Sequence, residues 1–251
     1  MKWSHSRLNS YYNGCPYEWH RHYIEHEKMK GNFHGSAGGF THKCLEMYEK
    51  GEIDDWDLPV YFENHFNEEV PYDAPPNKYK DLKQDWYDSV LDYFNNINLP
   101  IDKYQIIGVE KQVDFNVGDY PFIGFIDLLL RDPSDGKLIL CDHKTSIIKC
   151  LKSGAISKQD KDHFLSFKRQ QYLYSKAVLE EFGKDCIKEL WWNMVRQKDI
   201  IKIPFDNSEY EEAQTWALDT IHKIESETEW LPNPNFFYCN YLCGISGCPY
   251  K

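Results

Sequence analysis

The chain has 251 residues and a formal net charge of −11, from 29 Lys and Arg against 40 Asp and Glu. Such a balance argues against a protein held to nucleic acid by overall charge alone, although at an enzyme site the local field counts for more than the sum. No apolar stretch is long enough to span a bilayer, no repeat or low-complexity tract is present, and 8 Trp, 18 Tyr and 14 Phe supply a sizeable core. Nothing resembling a linker divides the chain, so one domain over 1–251 is expected: a mainly helical part over 1–100, a core over 101–200, and a C-terminal helix with a cysteine group over 201–251. The opening Met1-Lys2-Trp3-Ser4-His5-Ser6 has no apolar signal segment, which points to the cytoplasm, where stable disulfides are disfavoured.

In chain order, residues 1–50 read as helices, with Ser4 or Ser6 able to cap the first. Trp19 to Lys30 reads as a crowded, polar, amphipathic helix, and Gly38-Gly39-Phe40-Thr41-His42 places His42 near the beginning of another. Residues 60–70 and 80–97 follow as helices, separated by the irregular Pro71-Tyr72-Asp73-Ala74-Pro75-Pro76-Asn77. A strand is expected over 104–118 with Glu110 in it, then a hairpin of 121–130 and 137–143 across the turn Asp132-Pro133-Ser134-Asp135-Gly136. A helix over 167–181, a strand at Glu189–Val195 and a long helix at Tyr210–Glu227 complete the layout, an α/β arrangement with a central mixed sheet flanked by helices.

The hairpin carries the chemistry. Asp127 and Asp142 each stand at the end of an apolar run, and Lys144, two residues beyond Asp142, shares its side of the strand. Two acids and a lysine converging on one point suit phosphodiester hydrolysis, in which acids hold a divalent cation and an ammonium steadies the attacking water or the phosphate. Gln170 and Tyr174 stand one helical turn apart further on.

The ordered set Gly38-x3-His42, Glu110, Gly124-x2-Asp127, Asp142-x-Lys144-Thr145-Ser146 and Gln170-x3-Tyr174 resembles the RecB-type branch of the PD-(D/E)XK nuclease superfamily. That branch includes the nuclease domains of RecB and AddB and the small exonucleases attached to CRISPR adaptation. The resemblance covers nearly the whole chain and implies a restriction-endonuclease-like core with an N-terminal helical region. It implies a metal-dependent DNA exonuclease acting on single-stranded DNA or DNA ends, in recombination, repair, phage DNA processing or CRISPR adaptation. His42, Asp127, Asp142 and the His143 backbone carbonyl would hold Mg2+ or Mn2+, and the imidazole makes Mn2+ an effective cofactor. Lys144 would position the attacking water, Glu110 would orient water or a second cation, and Gln170 and Tyr174 would hold the scissile strand or brace Lys144.

Eight cysteines add a second line of argument, because Cys239, Cys243 and Cys248 crowd into the last residues and Cys15 is the natural fourth ligand. The resemblance implies that these four clasp the two chain ends around a 4Fe–4S cluster. The terminal spacing here is Cys-x3-Cys-x4-Cys where the family uses Cys-x2-Cys-x5-Cys, which keeps zinc as the alternative. Cys44, Cys141, Cys150 and Cys186 read as small apolar side chains.

A lysine-rich run after the hairpin, with Lys149, Lys152, Lys158, Lys168 and Arg169, is the expected DNA-contacting segment. A phosphate-binding Gly-x4-Gly-Lys-Ser/Thr loop is absent, so unwinding would fall to a helicase partner, and a recombinase or CRISPR-adaptation partner is the other expectation. A nuclease-like subunit active only within a larger complex is a second reading. A distant third is a zinc metallopeptidase through His22, Glu25 and His26, which match the His-x2-Glu-His pattern.

Overall fold

The computed structural model describes residues 2–151 and 155–251. Five helices come first: α1 (His5–Asn9), α2 (Pro16–Tyr23), α3 (Phe33–Glu49), α4 (Asp57–Glu69) and α5 (Leu82–Phe94). Their starts are encoded locally. Ser4 accepts from the Arg7 N–H, Asn32 from Gly35 and Asp81 from Lys83 and Gln84, while Pro16 opens α2 where a missing N–H costs nothing.

The sheet follows as β1 (Gln105–Val117), β2 (Tyr120–Arg131) and β3 (Leu138–Lys144). After it come α6 (Lys161–Phe182), β4 (Ile187–Met194), β5 (Asp199–Pro204) and α7 (Asn207–Ser226). The five strands lie in the order β1-β2-β3-β4-β5. β1, β2 and β3 pair antiparallel, β3 and β4 pair parallel, and β5 closes the edge antiparallel to β4. The helix α6 is the crossover that a parallel β3–β4 pair requires. The sheet is therefore mixed and flanked by helices, as the sequence predicts.

Asp132 makes the β2–β3 turn: its side chain accepts from the Ser134 N–H and hydroxyl, and its backbone N–H donates to the Lys137 carbonyl. Gly136 takes φ +73°, a conformation that favours glycine.

Three apolar clusters build the interior. The largest packs α6, α7 and α1 on one sheet face through Phe115, Phe122, Leu140, Leu173, Trp192 and Ile221. A second, smaller one covers the other face with Leu128, Leu130, Ile139, Cys141 and Trp191. The third joins α3, α4 and α5 through Phe40, Phe62, Trp86 and Phe94.

Two local expectations change. α2 stops at Tyr23 instead of continuing to Lys30, because the chain turns away and His26 adopts φ +57°. His22 and His26 are therefore not one turn apart on a helix, and the peptidase pattern loses the geometry that gave it meaning. The β5 edge strand was not expected, since six residues with Pro204 at the end give too short a pattern to separate from a loop.

Candidate active site

Register does most of the assembly. Val109 pairs with Leu128 and Lys111 with Ile126, so Glu110 stands opposite Asp127. Leu128 pairs with Cys141, so the next rung turns Asp127 toward Asp142. Three carboxylates thus line up across three adjacent strands. Glu110 lies in the middle of β1, not at the end of a strand, and Asp127 and Asp142 are both buried.

The sheet is distorted at this rung. Val113, Phe115, Val117, Phe122 and Ile126 pack on the α6 side, whereas Val109, Leu128 and Leu130 pack on the opposite side. A strand's side chains alternate with period two, so both strands change phase between these positions. Glu110 absorbs the change on β1 with φ +48°, a strained conformation for a residue with a β-carbon. On the other side, β2–β3 backbone pairing ends at Leu128–Cys141, and the His143 N–H donates instead to the Asp127 carboxylate at 2.7 Å.

His42 reaches the same spot from α3, where it sits mid-helix rather than near the start. Its Nδ1 is 3.5 Å from Asp127 Oδ2. His42, Glu110 and Asp127 each offer a donor atom within 4.8 Å of the others, which among the described residues is the one such three-donor group. The donors fit a divalent cation. Burial and then the Asp127 and Glu46 charges push the Glu110 carboxyl up to about 7, with His143 only partly opposing, the mark of crowded carboxylates. Burial, then His143 and Lys144, pull His42 down to about 4, so its imidazole is neutral at pH 7 with a lone pair to give.

Asp142 is placed differently. Its Oδ2 lies 2.7 Å from Lys144 Nζ, and its Oδ1 accepts from Gln170 Nε2 at 3.2 Å. Gln170 Oε1 in turn accepts from Lys144 Nζ at 2.9 Å. Burial raises the Asp142 carboxyl above its usual range, with the Lys144 charge opposing. Gln170 thus braces Lys144 and Asp142 together. Tyr174 is buried and makes no side-chain hydrogen bond among the described residues; its ring lies flat against Gly124. A β-carbon at Gly124 would sit 2.3 Å from Tyr174 Cε1. Gly124→Ala is therefore expected to cost about 1–3 kcal/mol by overpacking. At about 2–4 °C per kcal/mol for a chain of this size, a thermal melt reads the loss directly. A companion Tyr174→Leu substitution should recover part of it, and a Gly124→Ala melt identical to wild type would refute the contact.

The basic run is only partly free. Lys149 and Lys158 are exposed, but Lys168 pairs with Glu209 at 2.6 Å and Arg169 with Glu212 at 2.5 Å, both on α7. Lys152 lies outside the described residues.

The two chain ends meet around the four cysteines. Glu18 accepts from the Gly244 N–H at 2.6 Å and from the Tyr238 hydroxyl at 2.6 Å, and Asn233 donates to the Gly14 carbonyl. The Tyr238 phenol is pushed up by burial and Glu18 and also feels the Cys15 and Cys243 thiols, while burial raises Cys243 to about 11. No three of the four sulfurs fall within 4.8 Å of one another. Four thiolates on one zinc, at about 2.3 Å each, would stand about 3.8 Å apart.

Sequence reasoning passed over Glu49 and Asn193. Both are buried, and both converge on His143 from α3 and β4. The spacing of seven between His42 and Glu49, which puts both on one helix face, was the available signal.

Residues 2–251 match the family model of the PD-(D/E)XK nuclease superfamily. Among solved structures, the chain is similar to the crystal structure of a Eubacterium rectale protein provisionally named an exonuclease, with a TM-score of 0.53 and 11% identity over 95% of this chain and 86% of that one. At that identity the likeness speaks to the fold. The crystal structure of SSO0001 aligns over 85% of this chain and 100% of its own at 18% identity, with a TM-score of 0.32 that carries no argument. None of the curated proteins matches. With this sheet, this carboxylate row and a match over nearly its full length, the chain belongs to the PD-(D/E)XK nuclease superfamily.

Proposed function

We propose that this nuclease is a divalent-metal-dependent deoxyribonuclease that works as an exonuclease on single-stranded DNA or DNA ends. The observation that carries the reading is the His42–Glu110–Asp127 group beside a lysine held by Asp142 and Gln170. His42 and Asp127 would hold the cation, with Glu110 in the ligand set instead of only orienting water. Asp142 would complete the set or serve mainly to hold Lys144, aided by the His143 backbone carbonyl. When bound, Mn2+ or Mg2+ supplies Lewis-acid polarisation of the phosphodiester and a water acidified to near neutral pH.

The chain's own residues do the rest. Lys144 is fixed between Asp142 and Gln170, so its ammonium needs no reorganisation to offset charge developing on the phosphate. Neutral His42 offers nitrogen, a donor that suits Mn2+ better than Mg2+. Tyr174 underlies the carboxylates as a packing surface against Gly124. Exposed Lys149 and Lys158 are among the side chains available to steer a phosphate backbone toward the site. Products would be a 5′-phosphate and a 3′-hydroxyl.

A 4Fe–4S cluster on Cys15, Cys239, Cys243 and Cys248 accompanies this reading, with zinc as the alternative. What supports a shared centre is that the two chain ends are tied together beside these cysteines, through Glu18 with Gly244 and Tyr238.

The experiment is direct. Purified protein with end-labelled single- and double-stranded DNA in Mn2+ should give a ladder of shortened products, abolished by EDTA. No cleavage in Mn2+, or cleavage indifferent to EDTA, would sink the proposal.

A further inference from the structure

The candidate metal site draws its parts from two separately packed bodies. His42 rides on α3, which belongs to the cluster of α3, α4 and α5, while Asp127 and Asp142 ride on strands packed into the two sheet clusters. α3 packs chiefly on α4 and only lightly on β1. The apolar clusters meet at their margins, at Ile97 and Val195. Arg196, just after β4, donates to Ser89 and Asp85 on α5, but that tie does not touch α3, so other contacts must set His42 against the strands to within the tolerance a metal demands.

A buried polar chain spans that gap. His143 Nε2 lies 2.9 Å from Glu49 Oε1, with the two side chains 2% and 1% exposed. On the other side of the ring, Nδ1 lies 3.0 Å from Asn193 Nδ2, which donates to the Tyr93 hydroxyl at 2.9 Å. Glu49 closes α3 and Tyr93 sits on α5, whereas His143 and Asn193 are on β3 and β4. The chain therefore runs from helix to sheet and back to helix. His143 is also in contact with the site itself: its backbone N–H holds Asp127, and its ring stands edge-on to the His42 ring at 5.8 Å. Within the helix, Glu49 and His42 are two turns apart on one face, so anchoring Glu49 sets both the rotation and the height of His42.

Stability alone is a poor reason for such a pair. Removing two charges from water costs more than an ion pair commonly returns, and apolar residues of similar volume generally do as well. Neither carboxylate oxygen of Glu49 has a further hydrogen-bond partner among the described residues, so the pair is not even fully satisfied.

We propose that Glu49 is a positioning residue for the metal site, acting through His143 to fix His42 on α3 relative to Asp127, Asp142 and Lys144 on the strands. This inference rests on the reading of His42, Glu110 and Asp127 as a cation site. Outer partners that orient ligands are typically worth about 10–100-fold in metal affinity.

The test is Mn2+ binding, read by isothermal titration calorimetry and by the Mn2+ electron paramagnetic resonance signal, with no DNA present. Glu49→Gln should weaken Mn2+ binding by about 10–100-fold. The double variant Glu49→Leu/His143→Leu guards against misfolding, since an apolar pair of similar volume should fold with a Tm near wild type. It too should bind Mn2+ about 10–100-fold more weakly, because leucines pack without directing the helix. Wild-type Mn2+ affinity in the folded double variant would overturn the positioning role while leaving the nuclease reading intact. A wild-type protein that binds no Mn2+ would overturn both.

Discussion

Asp127→Asn should leave the protein folded and cleavage in Mn2+ undetectable. The amide keeps the carboxylate's shape and one oxygen to accept from the His143 N–H, so the frayed rung of the hairpin stays closed. What it loses is the charge shared with His42 and Glu110, without which the donor group has little hold on a cation. Lys144→Ala should lower the rate by about 10²–10³-fold or more, the usual effect of deleting one preorganised electrostatic contact to a reacting group. The two variants separate in stability. Removing the lysine leaves Asp142 buried and uncompensated, which costs about 3–5 kcal/mol when one partner of a buried pair is truncated. Asp127→Asn should melt near wild type, and Lys144→Ala well below it. Wild-type cleavage rates in both variants would show that the site lies elsewhere.

Cys15→Ser should bleach the protein and loosen its ends. If the four cysteines hold an iron–sulfur cluster, the wild-type preparation is brown, and losing one ligand removes the visible absorbance. Glu18 still ties α2 to Gly244 and Tyr238, so the C-terminal segment keeps a polar anchor. Those few part-buried hydrogen bonds are each worth about 1–3 kcal/mol, far less than a bound metal centre contributes. Limited proteolysis should therefore cut between Leu231 and Lys251 in the variant and spare the wild type. A colourless wild-type protein with stoichiometric zinc would replace the cluster by zinc without touching the nuclease site. A Cys15→Ser variant with undiminished colour and protease resistance would remove Cys15 from the ligand set.

Features written in neighbouring residues could be read without a structure. The β2–β3 hairpin follows from the apolar runs on either side of Asp132-Pro133-Ser134-Asp135-Gly136, and the turn forms through Asp132 bonding to Ser134 two residues on. The shared side of Asp142 and Lys144 follows from the period of a strand, and their 2.7 Å contact agrees with it. The failed helix through His26 shows the limit: α2 ends at Tyr23, His26 beyond it takes a left-handed conformation, and nothing in the local pattern announced either.

Convergence was a different matter. That Glu110, not Asp142, joins His42 and Asp127 in the three-donor group depends on the strand register and on the phase change at the Glu110–Asp127 rung. That Lys168 and Arg169 are spent on Glu209 and Glu212 depends on α6 lying beside α7. The contact between Glu49 and His143 joins residues 94 positions apart. Turns and periodicity arise from forces between adjacent residues and so leave a trace in composition and spacing. Which distant side chains end up facing one another is decided by how helices and strands bury their apolar faces together, and a small shift in register or docking would give the same residues different neighbours.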